Sequence, residues 1–370
     1  MHLENISLVN FRNYKESHFS FSGNINGILG YNGSGKTNLL DAIYYLSLTK
    51  SYFNSSDIQS IRFGSDYFAL RGTFRKNSES ATVTCRFHRA EKKEFILNEC
   101  NYEKNTDHVG LFPVVMIAPN DTDIVRGGSE LRRKFFDSVL AQTDRIYLAE
   151  ILKYNQALKR RNSLLSQLGE SRIPDHDLID SYDYYLLDSG FKIFRYRTEL
   201  LQRFIPVFLE SYETIAGQKE KNEIRYLSDW EDHDFSSKFK SFRDQDILNR
   251  RTLRGIHKDE FDFLINGYPL RKFGSQGQQK SFLIALKLAQ FELIRKANAF
   301  KPILLLDDIF DKLDEERIKK LISLVNRHNF GQIFITDARP ERTHSILEEV
   351  NSEKKMIYLD NQVTVIPGVS

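Results

Sequence analysis

The run Gly30-Tyr31-Asn32-Gly33-Ser34-Gly35-Lys36-Thr37 constrains this chain more than any other feature. An apolar segment, Ile25 to Leu29, leads into it, and Leu39, Leu40, Ile43 and Leu46 follow at helical spacing. The match is to G-x-x-x-x-G-K-[ST], set between an expected strand and an expected amphipathic helix. Glycine reaches backbone angles closed to other residues, so successive N–H groups can turn inward on phosphate oxygens. The helix beginning near Lys36 points its positive end at the same place. Lys36 is therefore expected to reach the β- and γ-phosphates of ATP, and Thr37 to ligate Mg2+. Gly30, Tyr31, Asn32, Gly33, Ser34, Gly35 and Asn38 complete the expected nucleotide cradle.

A phosphate loop of this kind works with a second carboxylate. Ile303-Leu304-Leu305-Leu306-Asp307-Asp308 reads as a buried strand delivering acids at its C-terminal end. Asp307 is expected to hold Mg2+ and Asp308 to polarise the attacking water. A third element, Phe273-Gly274-Ser275-Gln276-Gly277-Gln278-Gln279-Lys280, precedes a helical pattern over Ser281 to Ala297. Ser275, with the amides around Gly277 and Gln278, makes an anion-binding helix start. This loop resembles the signature loop of ABC-type ATPases, which implies contact with the γ-phosphate bound by an opposite subunit. Asp311-Lys312-Leu313-Asp314 stands where those ATPases carry their D-loop.

The rest of the chain fits around these elements. Phe68 to Phe74, Ala81 to Phe87 and Glu94 to Leu97 alternate as an antiparallel sheet should, and Val114 to Ile117 is a short apolar strand stopped near Pro119. Glu130 to Gln167 and Ser181 to Tyr212 carry helical patterns joined through Pro174, which predicts two long antiparallel helices. Glu220 to Asp246 is charged and gives no clear pattern. Strand–helix alternation returns with Phe261 to Ile265, and continues through Ile303 to Leu306, a helix over Glu315 to Val325, Gln332 to Thr336 and a helix near Ser345 to Val350. Met356 to Leu359 and Val363 to Ile366 read as closing strands. The expected fold is α/β: a P-loop ATPase core with a mixed sheet and an antiparallel β subdomain, made of residues 1–120 and 250–370. A mainly helical lobe, 121–249, is inserted between them.

Composition narrows the function classes. Lys+Arg 53 against Asp+Glu 50 leaves a net charge of +3, so any polyanion surface must be a local patch. Arg132-Arg133-Lys134, Lys159-Arg160-Arg161, Arg195 with Arg197, and Arg250-Arg251 with Arg254 are the patches on offer. No aromatic residues interleave with them as in a single-strand stacking platform, so backbone contacts without base readout are expected. Two cysteines, Cys85 and Cys100, exclude a disulfide framework or a four-cysteine zinc site and suit a reducing cytoplasm. No apolar run approaches the roughly 20 residues that span a bilayer, and no secretory signal is expected.

Several motifs together resemble the RecF family, bacterial recombination-mediator ATPases related to the SMC proteins. They are Phe11-Arg12-Asn13-Tyr14, the phosphate loop, Gly-x-His-Lys-Asp-Glu at 255–260, Ser275 to Lys280, and Leu304 to Asp308. Gly127-Gly128-Ser129 through Arg133, and Leu158 to Asn162, fall in the family's order, so the resemblance covers essentially the whole chain. It implies an ABC/SMC-type ATPase of replication and recombinational repair. An ATP-dependent homodimer would clamp double-stranded DNA or double-strand/single-strand junctions and be released by slow hydrolysis. RecO and RecR would help it place RecA on gapped DNA. In this family type, Arg12 is a further expected nucleotide contact and Ser275 acts from the partner subunit.

The chain departs from the pattern in four places. Asn54 ends Lys50-Ser51-Tyr52-Phe53-Asn54 where the family often has Arg, and Lys312 replaces a common acid. Asp308 stands where many ABC ATPases have Glu, and Pro119-Asn120-Asp121 lies nearest to the missing glutamine switch. His257 is expected to position the loop rather than touch a ligand. A transporter ATPase subunit, or a scaffold with an incidental ATPase, would use the same nucleotide parts.

Overall fold

Period-two burial shows first along Tyr67–Lys76, where Phe68, Leu70, Gly72 and Phe74 turn inward and their neighbours do not. The computed structural model describes the chain apart from residues 169–175, 218–219, 299, 312–316, 319, 321–322, 324–329, 349, 351 and 360–370. In chain order the elements are β1 His2–Phe11, β2 Tyr14–Ser20, β3 Ile25–Gly30, α1 Lys36–Leu48, β4 Tyr67–Lys76, β5 Glu79–His88, β6 Glu94–Leu97, β7 Cys100–Asn101 and β8 Val114–Ile117. Next come α2 Thr122–Arg126, α3 Ser129–Thr143, α4 Arg145–Leu168, α5 His176–Ala216, β9 Asn222–Leu227, α6 Phe235–Lys238 and α7 Arg243–Leu248. The last are β10 Glu260–Ile265, β11 Tyr268–Pro269, α8 Leu270–Phe273, α9 Gln276–Ala297, β12 Ile303–Leu306, β13 Ile333–Asp337, α10 Pro340–Glu348 and β14 Lys354–Leu359. The chain divides into two units, residues 1–121, 211–217 and 280–370 in one, and 122–210 with 218–279 in the other.

The first unit holds two sheets. Five parallel strands run in the order β14-β3-β13-β12-β8, and six antiparallel strands in the order β2-β1-β4-β5-β6-β7. Parallel strands covered on both faces read as unbroken apolar runs, and β8, β12 and β13 are buried at every position. One core includes Leu3, Leu70 and Phe74 of the antiparallel sheet, Leu39 and Ile43 of α1, and Ile28 and Leu305 of the parallel sheet. Helix α1 differs from the amphipathic expectation, being buried on nearly every side, Asp41 and Tyr44 included. It also lies close to β4: a Cβ on Gly72 would come within 2.8 Å of Leu46 Cδ1. The expected Val363 to Ile366 strand and most of the Glu315 to Val325 helix lie outside the described residues.

The second unit packs α3, α4 and α5 with the sheet β11-β10-β9. The helical pattern over 130–167 is two helices, because Asp144 is extended and its side chain caps Tyr147 N–H at 2.9 Å. Glu220 to Asp246, featureless as sequence, contains β9, which pairs with β10 along its full length. That pairing draws residues 250–279, expected in the ATPase core, into the second unit. Phe261 stacks on Phe136 at 4.3 Å and on Tyr226 at 4.6 Å, and Arg132 forks onto both oxygens of Glu260 at 2.9 and 3.0 Å. The Asn266-Gly267 turn into β11 forms as expected, both residues having positive φ.

Candidate nucleotide site

Strand β3 ends at Gly30 and α1 begins at Lys36, so the loop between them exposes its backbone at the C-terminal edge of the parallel sheet. Gly35 sits at φ +106°, and a Cβ there would lie 2.7 Å from Asn13 Nδ2 and 2.8 Å from Tyr14 Oη. Only glycine satisfies both the left-handed angle and the close approach. Tyr14 donates its hydroxyl to Gly35 O at 3.0 Å, Asn13 Nδ2 donates to Ser34 O at 3.4 Å, and Asn38 Nδ2 donates to Asn13 Oδ1 at 2.8 Å. The β1–β2 turn thus braces the loop from outside. Lys36 is 4% exposed, and its ammonium donates to Gly30 O at 2.8 Å and Tyr31 O at 3.0 Å, across the loop's mouth. Ser34 Oγ is buried without a hydrogen-bond partner.

The two halves of the site meet directly. Thr37 Oγ1 lies 2.9 and 3.0 Å from the carboxylate oxygens of Asp307, 270 residues away in sequence. Thr336, at the end of β13, donates to Asp307 Oδ1 at 2.8 Å and accepts the Asp308 N–H at 2.8 Å. Burial pushes the Asp307 carboxyl up to about 6, and the Asp308 charge pushes the same way. The Thr336 and Thr37 hydroxyls and Lys36 oppose the rise. Asp308 takes a left-handed backbone, φ +42°, which turns the chain sharply after the strand.

One hydroxyl and one carboxylate suit Mg2+, which keeps waters and phosphate oxygens in its shell rather than an all-protein cage. Among the described residues, no group of three or more His, Cys, Asp or Glu could hold a metal ion. The orphaned Ser34 hydroxyl, the inward amides and Lys36 fit a phosphate chain in the same place.

Other expected contacts are engaged elsewhere. Arg12 pairs with Asp41 and donates to Ser51 Oγ at 3.0 Å. Asp41 also accepts Tyr52 N–H at 2.7 Å, and Ser51 Oγ accepts the N–H groups of Phe53 and Asn54 at 3.1 and 2.9 Å. The divergent 50–54 segment is therefore built onto α1 through Asp41. Asp121, in the switch position, accepts Ala118 N–H at 2.7 Å and pairs with Lys287 at 3.1 Å.

The signature segment falls in the second unit as far as Gln279 and is more helical than its sequence suggests: α9 starts at Gln276, five residues before Ser281. Ser275 Oγ accepts Gln278 N–H at 3.2 Å while Gln278 Oε1 accepts Ser275 N–H at 2.7 Å, a reciprocal capping box. Gln278 Nε2 also donates to Glu220 at 2.7 Å. Gly277 lies within that first helical turn. Residues Lys312 to Asp314 of the D-loop lie outside the described residues. His257 shares Nδ1 with the Tyr154 hydroxyl at 2.7 Å and Nε2 with Thr252 O at 3.1 Å. A carbonyl must accept, so Nε2 carries the proton. Burial lowers the ring to about 4, as befits a neutral positioning group.

The basic clusters split. Arg132, Arg161 and Arg197 are buried in ion pairs, whereas Lys159, Arg160, Arg195, Arg250, Arg251 and Arg254 are exposed. Sequence spacing missed this because adjacent residues on a helix point 100° apart. Thr336 was also missed as a site residue. A hydroxyl ending an otherwise apolar strand beside an acid was its only signal.

A family model described as the RecF/RecN/SMC N terminal domain matches residues 2–363. The DNA replication and repair protein RecF of Cytophaga hutchinsonii is 45% identical over 97% of this chain and 95% of its own length. That of Flavobacterium johnsoniae is 43% identical over 97% and 100%. This chain belongs to the RecF family. A solved RecF structure, described as the recombination mediator protein RecF-ATP in the RecFOR pathway, superposes with a TM-score of 0.87 at 28% identity, covering 99% of this chain and 97% of that one. The Smc head of Pyrococcus furiosus gives a TM-score of 0.56 at 16% identity, which shows the shared ABC/SMC-type fold. No helix among the described residues is long and apolar enough to cross a membrane.

Proposed function

We propose that this RecF-family chain is an ATP-dependent DNA-binding ATPase of DNA replication and recombinational repair. The Thr37–Asp307 contact carries the reading, since it joins the phosphate loop to the second carboxylate at hydrogen-bond distance. Gly30 to Thr37 and Asn38 would wrap the phosphates, with Lys36 leaving its loop carbonyls for the β- and γ-oxygens. Thr37 and Asp307 would hold Mg2+, which when bound neutralises charge on the phosphates. Asp308 would orient the attacking water. Arg12 acts by fixing Asp41 and the 50–54 segment beside the loop.

The capped helix start at Ser275, with Gly277 and Gln278, is built to receive an anion. We assign it to the γ-phosphate held by a second copy, so that ATP closes a head-to-tail dimer on duplex DNA or a junction, and slow hydrolysis opens it. By family resemblance the downstream partners are RecO, RecR and RecA. The domain roles follow: the first unit binds nucleotide, and the second presents the capped start of α9 and the DNA-facing surface.

Lys36→Met is expected to abolish ATP binding and ATP-driven dimerisation, measured by nucleotide fluorescence and light scattering. Ser275→Ala is expected to keep ATP binding and lose dimerisation. A Ser275→Ala protein that dimerises and hydrolyses ATP normally would refute the shared site.

A further inference from the structure

The second unit carries a cationic surface that its fold assembles from two distant segments. On α4, every exposed residue from Asn155 to Gln167 is cationic or a neutral hydrogen-bonding group: Asn155, Gln156, Lys159, Arg160, Ser163, Ser166 and Gln167. No acid occurs between Ile151 and Leu168. This face is about 18 Å long at the helical rise of about 1.5 Å per residue. It offers the side-chain types that contact phosphate and sugar oxygens.

Arg250 and Arg251 are brought beside it by a buried lock. Thr252 donates both its N–H and its hydroxyl to Asn162 Oδ1 at 2.8 Å, and Arg161 Nη1 donates to Thr252 Oγ1 at 2.8 Å. Arg161 is fully buried and spends its charge on Asp183 and Asp246, at 2.6 and 2.7 Å. The acids beneath the patch are thus neutralised from below, and Asp244 is the exposed acid left on α7. Arg250 adopts φ +54°, in the left-handed region, just past the end of α7. Lys159, Arg160, Arg250 and Arg251 are all exposed, and none has an ion pair among the described residues.

We propose that Lys159, Arg160, Arg250 and Arg251 form a docking site for the sugar-phosphate backbone of double-stranded DNA. On the two segments that carry these four residues, α4 from Asn155 to Gln167 and α7 to Arg251, the exposed large apolar side chain is the aliphatic Leu248, 83% exposed, so neither segment supplies an aromatic platform for unstacked bases. Charge complementarity without base-reading groups is the chemistry of sequence-independent duplex binding. This inference rests on the DNA-binding reading above and assigns it a surface.

The test is binding of ATP-loaded full-length protein to a fluorescent duplex across a salt series. Replacing all four residues by alanine is expected to weaken binding by about 10- to 100-fold and to flatten the log–log salt slope by about 4, near one unit for each lost phosphate contact. Thermal stability and ATP-driven dimerisation should not change, because Arg161, Asn162 and Thr252 stay intact. The charge-keeping variant Arg160→Lys/Arg250→Lys/Arg251→Lys should retain most of the slope. A folded, dimerising quadruple-alanine protein with unchanged slope overturns the patch. Wild-type protein that ignores duplex in ATP instead overturns the DNA-binding reading itself.

Discussion

The second unit and the candidate nucleotide site treat buried carboxylates in opposite ways. In the second unit, each is matched by a guanidinium: Arg161 bridges Asp183 and Asp246, and Arg197 bridges Asp137 and Asp259. At the site, Asp307 meets only hydroxyls at hydrogen-bond distance and is pushed up to about 6, although Asp41, Asp121 and Asp337 elsewhere in the first unit are paired with Arg12, Lys287 and Arg342. A buried charge with its countercharge built in is scaffolding, since removing one partner strands the other. A buried charge supplied only with dipoles retains affinity for a cation that arrives later. The same residue type thus closes ion pairs in the scaffold and, at Asp307, is left open to a cation.

The largest effect should come from breaking the scaffolding pair. Arg161→Ala strips the buried Asp246 of its cation and leaves Asp183 with Arg243 alone, and is expected to cost about 3–5 kcal/mol, read as a lower urea midpoint. Acid tests both units at once, because each hides a neutral histidine lowered to about 4 by burial: His108, bonded to Leu46 O at 2.6 Å, and His257. The folded pKa lies below the unfolded value of about 6.5, so protons favour the unfolded chain. Stability should be full above about pH 6.5 and fall toward pH 4, by at most about 3 kcal/mol per histidine. Denaturation midpoints at a series of pH values check this, and His257→Gln should flatten part of the profile.

Asp307→Asn inverts the scaffolding result. It should leave the midpoint unchanged or raised by about 1 kcal/mol, since burying a carboxylate costs free energy, while Mg2+-dependent ATP hydrolysis drops by about 100-fold. If Asp307→Asn destabilises the protein as much as Arg161→Ala does, the contrast fails. The smallest effect belongs to Ser275→Ala, where loss of the capping box should cost about 1 kcal/mol.

The candidate nucleotide site was legible, as far as the meeting of its parts goes, because those parts are contiguous motifs. Glycines, Lys36, Thr37 and the Asp307 strand each need their neighbours in sequence, and the parallel core follows from apolar runs. What escaped was set by distant pairing. The stretch from 250 to 279 joins the second unit through β9, a half-exposed strand whose charged sequence hides its alternation. Arg132, Arg161 and Arg197 look like surface charge until the acids that bury them are brought near. Arg12 likewise has a partner, Asp41, inside a helix that sequence suggested was only half-buried.

The sheet order carries a consequence for how the protein is made. Among the described residues strand β3 pairs with β13 and β14, both of which follow the whole second unit in the chain. At about 5–20 residues per second, an interval of 270 residues between Thr37 and Asp307 lasts about 15–60 s. Throughout it, an apolar strand waits with both edges bare while the whole second unit is translated. The nucleotide loop emerges before the second unit and is finished after it. A ribosome stalled late on this message would hold a complete second unit and an unclosed, aggregation-prone ATPase.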